Sequence, residues 1–212
     1  MADWATISSL ATAGGTLVLA FATFASVRSA NRSARVAERA LLVGLRPVFT
    51  PSREQDPGED VFFGDEHAFR VEGGISAVEE ANGNVYMAIP LRNVGQGLGV
   101  LHGWHVMVGG RIRGDPRELI DEFRQQQRDL YVPAGDTSYW QGAVRDEDDI
   151  FIAPARQAVR ERVQLTIDLL YGDHEGGQRT VSRFVLAPTD GKGWSTRVIR
   201  HWPIEGIDPR PF

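Results

Sequence analysis

Hydrophobic positions along this chain fall into two regimes. From Trp4 to Val27 no side chain is charged, and Asp3 and Arg28 bound the run. At about 1.5 Å per residue, a helix over it would be about 36 Å long, enough to cross a hydrocarbon core of roughly 30 Å. Ile7, Leu10, Leu17, Val18, Leu19, Phe21, Phe24 and Val27 each favour insertion by about 0.3–0.6 kcal/mol. Seven Ser/Thr and two Gly offset part of this. The pattern predicts a single membrane-spanning helix. A cleaved signal peptide wants a basic residue before the apolar run, whereas here the acid precedes and the arginines follow. A helix buried in a partner is the soluble alternative.

Residues Arg28 to Leu45 contain no proline, so the same helix is expected to run on out of the bilayer until Pro47 stops it. Ala37, Ala40 and Leu41, with Val43 and Leu45, read as an apolar stripe, with the arginines spread around the rest. Arg28, Arg32, Arg35 and Arg39 flank one end of the span. The positive-inside rule then places the N-terminus outside the cell membrane and everything after Arg28 in the cytoplasm. Near anionic headgroups each arginine contributes about 1 kcal/mol. The small residues Ala11, Gly14 and Gly15 would let two such helices approach closely, so a homo-oligomer through this helix is a further expectation.

Beyond Pro47 the period changes from helical to two. Val85, Met87, Ile89 and Leu91 alternate with their neighbours, and so do Val163, Leu165, Ile167, Leu169 and Tyr171. Pro90 marks the first run as an edge strand or a bulge. The second, with the Gly172–Gly177 turn and Gln178–Leu186, predicts a hairpin. Further strands are expected at Arg46–Thr50, Ala68–Glu72, Leu98–Val108 (ending at Gly109-Gly110), Leu130–Val132, Thr137–Val144 and Trp194–Trp202. A short helix is expected over Pro116–Gln127 and a Pro-rich tail at the end. About seven or eight strands at turn spacing argue a mainly β domain, an Ig-like β-sandwich. The expected organisation is a tail at 1–3, a transmembrane helix at 4–27, a basic juxtamembrane helix at 28–46 and a soluble domain at 47–212.

Composition adjusts this picture in two places. The chain has no cysteine, which removes disulfides, zinc–thiolate sites and thiol nucleophiles. Charge is unevenly placed: residues 28–46 carry five arginines against Glu38, whereas from Pro47 onward there are 18 basic and 26 acidic residues. An acidic body is a poor match for a phosphate backbone and argues against nucleic-acid binding.

Candidate chemistry is sparse. Leu91-Arg92-Asn93-Val94-Gly95-Gln96-Gly97-Leu98-Gly99 places three glycines at alternate positions, but a dinucleotide loop needs a different third position and a following helix. Glycines at a bulge or at positive φ are the plainer account. His102 and His105, three apart on a strand, point to opposite faces and share a metal only across a bulge. Asp146-Glu147-Asp148-Asp149 lacks the glycine and the ligand spacing of a calcium loop, and reads as a solvated acidic turn. Asp168, Asp173 and His174 flank a corner where an acid/base set is imaginable, without a nucleophile motif. Arg179 and Arg183 would pair with Asp168 across the ladder. Trp194, Trp202, Tyr139 and Trp140 read as core or edge packing, with a binding patch as the alternative if a pair of them is exposed.

The glycine-bearing stretch resembles one found in a loosely defined group of bacterial membrane-anchored proteins. There a strand ending in Leu-x-Asn-x-Gly-x-Gly opens a β-sandwich on one side of the membrane. The resemblance covers about ten residues and the architecture, and implies no activity. No catalytic, cofactor-binding or metal-binding residue is assigned. The expected function is a protein-interaction or assembly module held at the lipid bilayer for an unknown protein partner. A membrane-tethered hydrolase using Asp168, Asp173 and His174, or a ligand sensor, is the alternative.

Overall fold

The computed structural model describes residues 3–109, 114–191 and 193–205. It comprises two units, residues 1–43 and 44–212. Gly110 and the tail beyond Glu205, parts of two expected features, lie outside the described residues.

Helix α1 runs unbroken from Trp4 to Gly44, 41 residues and about 60 Å of axis. It is long and apolar enough to cross a membrane. Its hydroxyls are accommodated locally. Thr12, Thr16 and Thr23 each donate to the carbonyl four residues back, at 2.9, 2.9 and 2.8 Å, so none of these hydroxyls needs water. One expectation changes here. Arg28, Arg32, Arg35 and Arg39 recur at helical spacing, so they share one face within about 60° of arc, while Val43 falls toward their side.

The second unit is mostly β, a curled antiparallel sheet. Among the described residues there are twelve strands, against the seven or eight expected, and a half-barrel stands in place of two facing sheets. They are β1 (Phe49–Pro51), β2 (Glu59–Phe62), β3 (Ala68–Val71), β4 (Ile75–Ala81), β5 (Asn84–Asn93), β6 (Gly99–Val108), β7 (Arg124–Gln125), β8 (Tyr131–Val132), β9 (Thr137–Val144), β10 (Leu165–Asp173), β11 (Thr180–Pro188) and β12 (Trp194–Pro203). The path runs β1-β5-β4-β12-β11-β10-β6-β7, with β8 on β6, β9 on β5, and β2–β3 a separate hairpin.

Strand β4 joins the two halves by changing partner along its length. Ala77–Ala81 pair with β5, while Ile75 and Ser76 pair with β12. The core lies in the resulting curl, where Phe49 stacks on Tyr171 at 4.2 Å and Trp104 meets Trp140 edge-on at 5.4 Å. Strands β5 and β10 are buried on both faces. The β2–β3 hairpin covers Tyr86 and Ala88 of β5. Pro90 therefore sits in an interior strand and not at an edge. The side where its N–H is missing falls between the ends of β4 and β1, and there its carbonyl accepts the Ser52 N–H at 2.9 Å.

The expected helix over Pro116–Gln127 is a 3₁₀ helix, Pro116–Glu122, followed by β7. Asp115 caps it by accepting the Arg117 N–H at 3.0 Å. Helix α2 (Ile152–Arg160) has no counterpart among the expected elements, and it buries Ile152, Ala155 and Ala158 on one face.

Candidate binding cleft

The half-barrel does not close. β9 pairs with β5 along its whole length and has no strand on its other side among the described residues, and β7, two residues long, ends the path beyond β6. A cleft of about 630 Å³ opens between these edges. Gln126 ties one end: its backbone N–H donates to the His102 carbonyl at 2.9 Å, its Nε2 donates to the Gln141 carbonyl at 3.1 Å, and its Oε1 accepts the Trp140 Nε1–H at 3.1 Å. Gln141 in turn donates through Nε2 to Asp129. Its Oε1 is buried and has no partner among the described residues. Burial and the nearby Asp129 push the Tyr139 hydroxyl up to about 12.

Three arginines line the opening, and each is held differently. Arg124 lies over the rings of Trp104 and Phe151, at 5.2 and 5.7 Å, and pairs with Asp149 at 2.5 Å. Arg145 lies over Tyr86 at 5.5 Å and donates to Asp65 at 2.8 Å. Asp65 also accepts the Tyr86 hydroxyl at 2.5 Å. The Arg145 guanidinium, with that hydroxyl, holds the Asp65 carboxyl well below the usual carboxylate range. Burial and the Asp65 carboxylate push the Tyr86 hydroxyl up. Arg128 is exposed, and its guanidinium has no hydrogen-bond or ion-pair partner among the described residues. A Cβ on Gly64 would lie 3.2 Å from Arg128 Nη2, so the glycine lets the guanidinium rest close to the hairpin tip.

The described lining contains no serine, threonine, cysteine, histidine or lysine, and its one carboxylate is ion-paired. Such a surface holds hydrogen-bond acceptors and negative charge.

The residues singled out in the sequence lie elsewhere. Asp168 is fully buried and pairs with Arg183 through two bonds of 2.7 Å, as the ladder register predicts. Arg179, expected to share it, pairs with Glu205 at 2.6 Å instead. Asp173 accepts the N–H groups of Glu175 and Gly177 at 3.2 and 2.8 Å, which shapes its own turn, and His174 is exposed. These groups do not converge on a pocket. A bulge does occur at His102, but His102 faces Arg179, Asp173 and Glu205, whereas His105 lies among Glu122, Phe123, Phe151 and Asp168. Burial pushes both histidines down. The acidic turn is structural: Asp146 and Asp149 accept backbone N–H groups at 2.9 Å, and Glu147 pairs with Arg156.

The glycines at 95, 97 and 99 are not at positive φ. An added Cβ would fall 2.2 Å from the Arg46 carbonyl, 1.7 Å from the Leu45 carbonyl and 2.3 Å from the Phe49 ring. They are needed because residues 45–49 pass directly over them.

A serine–histidine pair escaped the sequence reading: Ser182 Oγ lies 2.6 Å from His201 Nδ1 and 2.8 Å from Tyr171 Oη. Ser182 is fully buried, so the chain ties strands together and admits no substrate. The cleft residues escaped it too, because four separate segments supply them. A local hint exists in Arg124-Gln125-Gln126-Gln127-Arg128. No family model, no curated protein and no solved structure matches the chain, so the functional reading rests on the cleft's own geometry.

Proposed function

We propose that this protein is a single-pass membrane-anchored binding module. α1 holds it in the bilayer with the N-terminus outside, and the β domain, on the cytoplasmic side, takes up a protein partner in the seam cleft. The open seam supports this reading most: a cleft of about 630 Å³ lined by arginine and glutamine on an otherwise acidic domain. A pocket that orients polar groups without reactive ones suits recognition more than turnover. The direction of insertion follows from the arginines that begin at Arg28.

Site-directed photo-crosslinking in intact cells tests the proposal. A photoreactive residue at Gln127, exposed at the cleft, is expected to give a discrete membrane-bound adduct that the same probe at Ile199 does not. Identical adducts from both positions, or none from either, would sink it.

A further inference from the structure

Strand β9 is an unusual edge. Natural sheets blunt unpaired edges with charge, proline, bulges or brevity, because free N–H and C=O groups recruit other strands. Thr137–Val144 is eight residues long and contains no charged residue and no proline, and it pairs without interruption on its one occupied side. Its first half is partly covered by Asp129, and Gln126 occupies the Gln141 carbonyl. Backbone groups of alternate residues face the same side of an antiparallel strand, so Ala143 directs its N–H and C=O into the cleft as Gln141 does. From Gly142 to Val144 no hydrogen bond crosses the seam among the described residues. Here the cleft is bordered by an unfinished sheet.

We infer that the cleft accepts an extended acidic segment of a partner protein, which pairs with β9 at Gly142–Val144 and sets carboxylates against Arg128. This rests on the binding-module reading and names its partner's chemistry. Every second side chain of an extended segment faces one side. Carboxylates at alternate positions therefore meet the wall of Arg124 and Arg128, while the intervening residues face away from it. Arg124 and Arg145 are already neutralised by Asp149 and Asp65. The Arg128 guanidinium keeps its donors open and supplies the charge-assisted bond. Main-chain pairing gives affinity, and the arginine selects the sign of the charge.

Full-length protein in detergent micelles is titrated against labelled eight-residue peptides with blocked ends, and binding is read by fluorescence anisotropy. An alternating Glu/Val peptide is expected to bind and a Lys/Val peptide to fail. Methylating alternate backbone nitrogens of the Glu/Val peptide removes strand donors without changing charge, and is expected to weaken binding roughly tenfold or more. Arg128→Glu, at an exposed position without a partner to lose, is expected to weaken it by a similar factor. Equal binding of the two charge types, or full affinity of the methylated peptide, would overturn the inference. Displacement by tripolyphosphate at the peptide's own concentration would overturn it too, by showing a plain anion site. If no peptide binds while the probe at Gln127 still gives its adduct in cells, this inference falls and the binding module stands. If both fail, both fall.

Discussion

Asn93 uses its whole side chain. Oδ1 accepts the N–H groups of Val48 and Gly95 at 3.2 and 3.0 Å, and Nδ2 donates to the carbonyls of Gly97 and Val132 at 2.8 and 3.0 Å. It is fully buried, so its loss leaves backbone groups on three segments without partners or water. Asn93→Ala is expected to destabilise the full-length protein in detergent by about 3 kcal/mol, roughly 6–12 °C in melting temperature. An unchanged melting temperature would show that the loop stands without it. Three histidines, His105 buried and His102 and His201 partly so, make a different prediction. Burial pushes His102, His105 and His201 below the ordinary value of 6.5. Their folded forms refuse protons that the unfolded chain accepts, so the stability is present above about pH 6.5 and is lost as pH falls below it. Each site steepens the loss by at most about 1.4 kcal/mol per pH unit. Thermal melts at pH 7.5, 6.5 and 5.5 should show the decline. His105→Phe, set between Phe123 and Phe151, should flatten it. A flat profile for the unaltered protein would contradict the assignment.

At the scale of elements, the glycine loop between β5 and β6 is a seat for the chain that arrives from α1. A methyl group at Gly97 would collide with the Leu45 carbonyl, which is backbone and cannot swing aside. Gly97→Ala should therefore destabilise the domain by about 1–3 kcal/mol or more. Gly14→Ala, with nothing within 4 Å of the added carbon, should leave its melting temperature unchanged. Equal effects of the two would remove the seat. The sequence shows that this stretch is special, but not why, because the neighbour it must admit lies some fifty residues earlier in the chain. The same limit explains the other differences. β5 and β10 declare themselves because apolar residues hold a period of two over nearly the whole strand. β4, Ile-Ser-Ala-Val-Glu-Glu-Ala, has no such signal and is a strand because it has partners on both sides. α2 does carry a helical pattern, Ile152, Ala155 and Ala158 against Arg156, Gln157 and Arg160, but it is only nine residues long with Pro154 in its first turn, and so is easily passed over. The cleft is less legible still: Arg124, Arg128 and Arg145 meet only because β7 and β9 face one another across a gap that no local pattern encodes.

For the whole molecule, the decisive quantity is the charge asymmetry across α1. One end carries Asp3; the other carries Arg28, Arg32, Arg35 and Arg39 on a common face, opposed by Glu38. On the proposed reading the uncharged run lies in lipid and the arginines resist transfer through it, which would keep the body of the chain on the side where they remain. The absence of cysteine makes this easy to read, since one introduced thiol is a unique label. Asp190→Cys, exposed on the β domain, should react with a membrane-impermeant maleimide only after cells are opened, and the protein should stay with membranes through a carbonate wash. Replacing the four arginines by glutamine leaves Arg46 and Glu38 as the charged residues of that flank, close to neutral in sum. Orientation should then become mixed, with a measurable share of the thiol labelled in intact cells, while membrane retention is unchanged because the apolar run is intact. Labelling of the unaltered flank in intact cells would reverse the topology. Release by carbonate would remove the anchor, and with it the reason to place the binding cleft at a membrane at all.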